Sequence, residues 1–322
     1  MTMNEARRRT RVLGWLGAAT YGLAPLALAS TILVSSTPAG AQEDTRRLWD
    51  SEFLSKRAPS KAKRPRKEPA YRAVTPPPST AATTAPATSA ATSAVTPARG
   101  ELVGVTVWRL RRSQASDSGD SRLLVQETEN QRTESVEWTP ERVEAETPFA
   151  AGDRVRLSIE SPRPGYLYVI DRELYADGTT SDPYLIFPTQ RMRAGDNSVR
   201  AGKVIELPDK NAFKLTPLRP DYQGERLTIL VTSEPLAQVT VPANAERLDP
   251  SLVAQWETQW AAVAERLELI GGAGQAYTGM ERDAAQQGRL LTQDDELPQT
   301  LYRVLSAPGS PVLISVPLKI AK

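Results

Sequence analysis

The segment Arg154-Val-Arg-Leu-Ser-Ile159 alternates polar and apolar residues, which is the pattern of a strand with one buried face. Further short apolar or alternating segments lie on both sides of it, separated by turns that contain Gly or Pro: Leu102–Leu110, Tyr166–Ile170, Tyr184–Phe187, Val204–Leu207, Phe213–Leu215, Arg226–Thr232, Leu301–Leu305 and Val312–Ile320. Many short strands joined in this way predict a mainly β protein, an antiparallel β-sandwich of immunoglobulin-like or jelly-roll-like type.

One segment departs from the β pattern. Asp249-Pro250 supplies a helix N-cap followed by a first-turn proline, and Gly271-Gly272 supplies a stop. Between them, apolar residues follow at helical spacing: Leu252, Val253, Trp256, Trp260, Val263 and Leu267. The spacing predicts one amphipathic helix near residues 250–270 that docks on the sheet by this stripe. A ligand-binding shelf made by the two tryptophans is the alternative.

The N-terminus has the three parts of a secretory signal. A cationic start with Arg7, Arg8 and Arg9 is followed by an apolar stretch, and small residues at Ala39 and Ala41 form a cleavage site. We therefore predict a signal peptide over residues 1–41 and an exported protein, in the periplasm or on the outer face of the envelope. Because the apolar stretch is long, the alternative is an uncleaved anchor in the inner membrane.

Charge divides the rest of the chain into two parts. The net charge of +2 arises from 4 basic and 1 acidic residues in 1–41, 11 and 5 in 42–100, and 25 and 32 in 101–322. Residues 42–100 are first basic and then rich in Pro, Ala, Thr and Ser, a composition that predicts a disordered linker. Residues 101–322 are predicted to form a single β-rich domain. An acidic domain is not typical of nucleic-acid-binding folds, so we expect no nucleic acid partner.

The basic part of the linker has two interpretations. The stretch from Lys56 to Arg72 is attracted to anionic envelope polymers or lipid headgroups, or it is a solvated spacer. Neither interpretation requires a folded structure there.

The composition excludes several classes of enzyme. The chain has no Cys and no His, which rules out Ser-His-Asp and Cys-His catalysis and removes the commonest zinc ligands. No phosphate-binding or dinucleotide-binding glycine motif is present. We therefore predict no catalytic residue, no cofactor and no metal site. A carboxylate-based glycan hydrolase remains an alternative, and it would need two carboxyl groups facing each other across a cleft.

Three tyrosines are the candidate binding residues. Tyr166 and Tyr168 share one face of their predicted strand, and Tyr184 lies on the probable partner strand. An aromatic face of this kind stacks on sugars or peptides. Cross-strand packing without a ligand is the alternative reading of the same residues.

The order of several short motifs resembles a bacterial family. These are Phe149-Ala-Ala-Gly152-Asp153, Pro164-Gly165-Tyr166, Asp177-Gly178, Leu185-Ile-Phe187-Pro188, Ala201-Gly202 before Ile205-Glu-Leu207-Pro208, and Glu225-Arg-Leu-Thr-Ile229 before Ser233-Glu-Pro-Leu236. Over roughly residues 140–240 the chain is similar to the domain of unknown function 4384, and the segments from Leu297 to the last strand look like a C-terminal extension. The resemblance implies an exported, β-rich accessory domain and assigns no catalytic residues.

The predicted function is that of a non-catalytic cell-envelope binding or accessory module, tethered by its linker, with a protein or a cell-wall component as partner. A structural or assembly component of an envelope complex, which makes contacts through exposed strand edges or the helix, is the alternative.

Overall fold

The computed structural model describes residues 53–59, 70–74, 100–129, 132–260, 262–307 and 309–321. The predicted signal segment 1–41 lies outside these residues. Within the described ranges, no helix has both the length and the apolar character needed to span a membrane.

Two antiparallel sheets make up the described part of the chain. The first contains β1 (Tyr71–Val74), β2 (Glu101–Arg112), β3 (Leu123–Glu129), β4 (Arg132–Val143), β5 (Arg154–Glu160), β9 (Val204–Leu207), β10 (Phe213–Lys214), β13 (Val263–Leu269) and β14 (Thr300–Leu305). The second contains β6 (Gly165–Tyr175), β7 (Tyr184–Phe187), β8 (Ser198–Val199), β11 (Tyr222–Thr232), β12 (Glu246–Arg247) and β15 (Val312–Lys319). The predicted β-sandwich is confirmed.

Strand β2 is the centre of the first sheet. It pairs with β5 on one side, and on the other with β14 through its first half and with β4 through its second half. Beyond β5 lie β9 and β10, beyond β14 lie β13 and β1, and beyond β4 lies β3. The second sheet runs in the order β12-β7-β6-β11-β15, with β8 also paired to β6.

The alternation in each strand decides which side chains fill the core. In β6, Leu167 and Val169 point into the main core between the sheets, whereas Tyr168 and Ile170 point to the outer face of the second sheet. That outer face is covered by helix α1 (Pro250–Trp260), which buries Trp256 to 4% exposure against it. The helix therefore docks on the sheet as the apolar stripe predicts.

The helix is shorter than predicted. It ends at Trp260, and Val263–Leu269 is strand β13 between β1 and β14. The residue pair 263 and 267 misled the prediction, because a spacing of four positions fits both the helical and the strand period. A second helix, α2 (Gly279–Gln287), was not predicted, although Thr278 and Glu281 form a capping box at its start and Gly288 ends it in a left-handed conformation.

The folded domain begins earlier than the predicted boundary at residue 101. Phe53 is 2% exposed in a core cluster with residues of β2, β13 and β14, and Arg57 is buried in an ion pair with Glu160. Strand β1 pairs with β13 over all four of its residues. Two segments of the predicted linker, 53–59 and 70–74, are therefore parts of the β-domain, and apart from Gly100 its other residues lie outside the described ranges.

Strands β1 and β2 belong to the same sheet, and the end of β1 is level with the start of β2. Val74 of β1 pairs with Arg266, which pairs with Tyr302, which pairs with Val103 of β2. Three strand spacings separate Val74 from Val103, about 14 Å. The 25 residues from 75 to 99 thus leave and rejoin the domain at one end of one sheet.

Candidate functional site

The three candidate tyrosines do not form one exposed face. Tyr168 is 3% exposed beneath α1, and its hydroxyl accepts a hydrogen bond from the backbone N–H of Leu236 (2.9 Å). Tyr166 is half-buried in the same cluster. Tyr184 is exposed but pairs with Asp171, on the opposite face of β6 from Tyr168. Whether Tyr166 or Tyr184 contacts a ligand stays a prediction.

A more open region lies where the first sheet curls. The β3–β4 hairpin folds back over β2 and β5, so that Val125 of β3 enters a small apolar cluster with Trp108 of β2 and Ala212, next to β10. The backbone N–H of Gln126 reaches the side-chain oxygen of Asn211 (3.4 Å). Among the described strands, β3 pairs only with β4, and β10 only with β5. The curled sheet therefore stays open between β3 and β10.

Helix α2 forms the wall of this region, and buried polar contacts hold it in place. Tyr277, just before the helix, packs edge-on against Trp108 with ring centroids 5.0 Å apart. Its hydroxyl donates to Glu206 (3.1 Å), which also accepts from Arg156. Glu281 of the capping box forms an ion pair with Arg142, whose guanidinium is almost fully buried. These contacts hold the N-terminal end of α2 in place, so the helix is a rigid wall for a binding site.

Two adjoining depressions run along this wall. One, of about 550 Å³, lies between β9 and the C-terminal half of α2. The other, of about 610 Å³, lies between β3 and the start of β10. They share Asp209, Lys210 and Gln286, so we treat them as one feature, the α2 groove.

The α2 groove is cationic although the domain is acidic. Six basic side chains line it against two acidic ones: Arg122, Arg156, Arg193, Lys203, Lys210 and Arg282 against Glu206 and Asp209. Residues 101–322 as a whole hold 25 basic and 32 acidic residues. The positive charge is thus concentrated locally, which favours an anionic partner at this place.

Not all of these cations are engaged within the protein. Arg122, Arg156 and Arg193 form ion pairs with Glu137, Glu206 and Asp196. The ammonium of Lys203 lies beside Gly288, where it faces the carbonyl end of α2. Lys210 and Arg282 form no ion pair within the described ranges, although Arg282 donates long hydrogen bonds to the backbone carbonyls of Gly119 and Arg122.

Some guanidinium nitrogens near the groove have no hydrogen-bond partner. Arg122 Nε, Arg193 Nη1 and Arg282 Nε are buried and have no hydrogen-bond partner among the described residues. The same is true of Arg163, Arg266 and Arg303 outside the groove, so these atoms do not by themselves mark a ligand site.

An apolar side chain lies among the residues that line the groove. Leu124 of β3 is 67% exposed there. Covering it with a partner would remove apolar surface from water. The groove therefore offers both an apolar contact and charge.

A smaller cavity of about 40 Å³ lies under α2, on the outer face of β2 and β5. Its two arginines are already paired, Arg57 with Glu160 and Arg142 with Glu281. The space suits a water molecule or two rather than a larger ligand.

Three carboxyl groups meet at the end of the second sheet. Glu173 of β6 pairs directly with Glu225 of β11, and Asp171 lies one step along the same face. Burial, together with the neighbouring carboxylates Glu225 and Glu173, raises the pKa of Asp171 to about 8. Burial also raises the pKa of Glu225 to about 7, although a hydrogen bond from Tyr222 opposes the shift.

This acidic cluster does not line the α2 groove. Within the described ranges, no group of three or more acidic side chains is arranged to hold a metal ion. Raised carboxyl pKa values are also found in catalytic sites, but here the groups sit apart from the main depression of the surface.

Comparison with known proteins gives one match. Residues 148–235 match the family model described as a domain of unknown function (DUF4384), which confirms the resemblance found in the sequence. No curated protein and no solved structure shows a significant match. The matched segment runs from just before β5 to the end of β11 and contributes strands to both sheets. It includes the β9–β10 side of the α2 groove, whereas β3 and α2 lie outside it.

Proposed function

We propose that this chain is a non-catalytic binding module of the cell envelope and that the α2 groove is its binding site. The observation that supports it most is the concentration of six basic side chains in one groove of an otherwise acidic domain, two of which, Lys210 and Arg282, have no ion-pair partner among the described residues. A site of this kind attracts an anionic partner and holds it without chemistry.

A protein partner fits the groove better than a cell-wall polymer does. Leu124 presents an exposed apolar side chain that a protein partner can cover. Lys210 and Arg282, which line the same depression, supply charge that steers the encounter. A purely anionic polymer would have no use for the exposed leucine.

Two features support the non-catalytic part of the proposal. The chain has neither His nor Cys. Of the two acidic residues in the groove, Glu206 is held by Arg156 and by the hydroxyl of Tyr277, and it has no free partner carboxylate across the groove. A glycan hydrolase would need two carboxyl groups separated by the width of a substrate.

The assignment to the envelope comes from the N-terminal sequence pattern. The pattern of Arg7–Arg9, the apolar stretch and Ala39-Gly40-Ala41 is that of an exported protein. The alternative function, a structural or assembly component, is favoured by the open edges of β3 and β10, because such edges pair readily with other chains.

Site-specific photo-crosslinking in the producing cell tests the proposal. A photoreactive residue at Leu124 reports on the α2 groove, and one at Leu218 is a matched control, since both side chains are about equally exposed, 67% and 71%. We expect discrete crosslinked products from position 124 and none of the same products from position 218.

Charge reversal makes the test specific. In the Lys210→Glu/Arg282→Glu variant the products from position 124 should disappear. The Arg72→Glu/Arg247→Glu variant carries the same change in net charge on other surfaces, where it breaks only exposed ion pairs, and should leave them unchanged. Identical products from both positions, or products that survive the groove variant, would remove the groove from the proposal.

A further inference from the structure

We propose that the ligand of the α2 groove is an extended acidic peptide segment of a partner protein, which binds by adding a strand to the free edge of β3. This inference rests on the proposed function and specifies its ligand class and its mode of binding. It combines three observations: an open strand edge, a side chain that takes the place of a neighbouring strand, and the cations that line the groove.

The open edge belongs to β3. Its seven residues pair along one side with β4, and no described strand lies along the other side. The backbone N–H and C=O groups of that side face the groove, as its lining by Leu123, Leu124 and Gln126 shows. Extended peptides bind such edges through main-chain hydrogen bonds.

Asn211 occupies part of the place of the missing strand. Its side-chain carbonyl oxygen accepts the N–H of Gln126 at 3.4 Å, a long contact where a strand carbonyl would form a shorter one. Asn211 has a positive φ of 61°, an uncommon conformation for a residue other than glycine, and its backbone carbonyl is held by Arg156. The protein thus keeps one edge N–H weakly satisfied by a side chain that a peptide carbonyl can displace.

The charges select the peptide. Side chains of an added strand alternate between two faces, and one face would meet the cations of the groove, above all Lys210 and Arg282. Acidic residues at alternate positions satisfy these donors, while an apolar residue beside them covers Leu124. The basic stretch of this same chain, from Lys56 to Arg72, has the wrong charge for this place.

Selection from a random peptide library identifies such ligands without knowledge of the partner. The full mature chain is immobilised, and phage that display random 12-residue peptides are selected on it. We expect enriched sequences with Asp or Glu at alternate positions and apolar or β-branched residues between them. Binding of a synthetic copy should fall at least tenfold in the Lys210→Glu/Arg282→Glu variant and remain within twofold in Arg72→Glu/Arg247→Glu.

One substitution separates strand addition from simple charge attraction. The N–H of Gln126 points to Asn211 and therefore away from β4, so Gln126→Pro removes a donor of the free edge and keeps the β3–β4 ladder. We expect this variant to bind the selected peptide at least tenfold more weakly with an unchanged melting temperature. If its melting temperature falls, the same measurement is made with wild-type protein and a peptide that is N-methylated at alternate residues, which lacks the donors of one edge.

The outcomes are distinct. Loss of binding with Gln126→Pro or with the methylated peptide supports strand addition. Binding that depends on Lys210 and Arg282 but tolerates backbone methylation overturns strand addition and leaves the binding groove of the proposed function intact. Enrichment of peptides without acidic residues, or no enrichment at all, overturns the acidic peptide as ligand, and the crosslinking at Leu124 then decides separately whether the groove binds another partner.

Discussion

Replacement of Arg57 by alanine tests whether the segment upstream of β1 belongs to the folded domain. Arg57 is 3% exposed and donates two hydrogen bonds to Glu160 (3.0 and 2.6 Å) and two to the backbone carbonyls of Asp295 and Glu296 (3.0 and 3.2 Å). Its removal leaves the carboxylate of Glu160, itself 5% exposed, buried without its partner. Breaking a buried ion pair from one side costs about 3–5 kcal/mol.

Local detachment of the segment that carries Arg57 can limit this loss of stability. If residues 53–59 detach, water reaches Glu160, and the loss then equals the free energy with which the segment was docked. Hydrogen exchange distinguishes this local opening from global unfolding. The N–H of Ala58 donates to Leu291, and the N–H of Gln293 donates to Ala58, so both amides report on the segment. We expect their exchange in Arg57→Ala to rise more than a hundredfold, which corresponds to about 3 kcal/mol, while core amides of β11 change less.

A double substitution isolates the buried charge. Arg57→Ala/Glu160→Ala strands no carboxylate, so it should cost less than the sum of the two single changes. The reasoning is refuted if Arg57→Ala leaves the exchange of Ala58 and Gln293 at its wild-type rate, or if the two single costs add without coupling.

Three more predictions follow from the packing and the buried charges. Trp256→Ala should lower the free energy of unfolding by about 3–5 kcal/mol and Trp260→Ala by less, because Trp260 is only half-buried and stacks on Trp256 at 5.9 Å; equal losses in urea denaturation would contradict this. Burial, with the neighbouring carboxylates, raises the pKa of Asp171 to about 8, so the stability that its protonated form contributes is fully present below about pH 4 and is lost as the pH rises through 8. Asp171→Asn should therefore be more stable than the wild type by roughly 1–3 kcal/mol at pH 8.5 and by little at pH 4. A gain in stability that is the same at both pH values would be contrary evidence. Gly224→Ala should destabilise the protein clearly more than Gly178→Ala. Both glycines have a positive φ, but only at Gly224 would the new Cβ lie 2.1 Å from a backbone carbonyl oxygen of β15. Similar melting temperatures of the two variants would argue against that contact.

The sequence predicts the strands best where polar and apolar residues alternate. Residues Arg154–Ile159 do so, and the structure has them as β5, although its polar face is itself covered and Arg156 is 4% exposed. The polar hairpin of β3 and β4 was not predicted, because Gln126 and Glu127 interrupt the apolar alternation and its small core is closed by residues from other elements. The upstream segment was missed since one aromatic ring and one guanidinium, Phe53 and Arg57, do not outweigh the polar composition around them.

The α2 groove lies beyond sequence reasoning for a physical reason. Arg122, Lys210 and Arg282 are spread over more than 150 positions and converge only because the hairpin of β3 and β4 curls back toward β10. Thr278-x-x-Glu281, the capping box of α2, was the one local signal for an element of the site. The candidate tyrosines were chosen for their alternation, and the same alternation places Tyr168 under α1.

The pairing of β1 with β13 limits how far the domain can lie from the point at which its N-terminus is held. Because the chain from 75 to 99 starts and ends on one sheet, its length adds nothing to the distance between the domain and whatever holds the N-terminus. Only the residues before Phe53 do so. If the predicted signal is cleaved behind Ala41, 11 residues remain before Phe53, at most about 40 Å when fully extended, compared with about 200 Å for the 59 residues from 42 to 100. Lengthening the 75–99 segment should therefore leave the range of partners within reach unchanged, whereas each residue inserted before Phe53 extends it by about 3.5 Å.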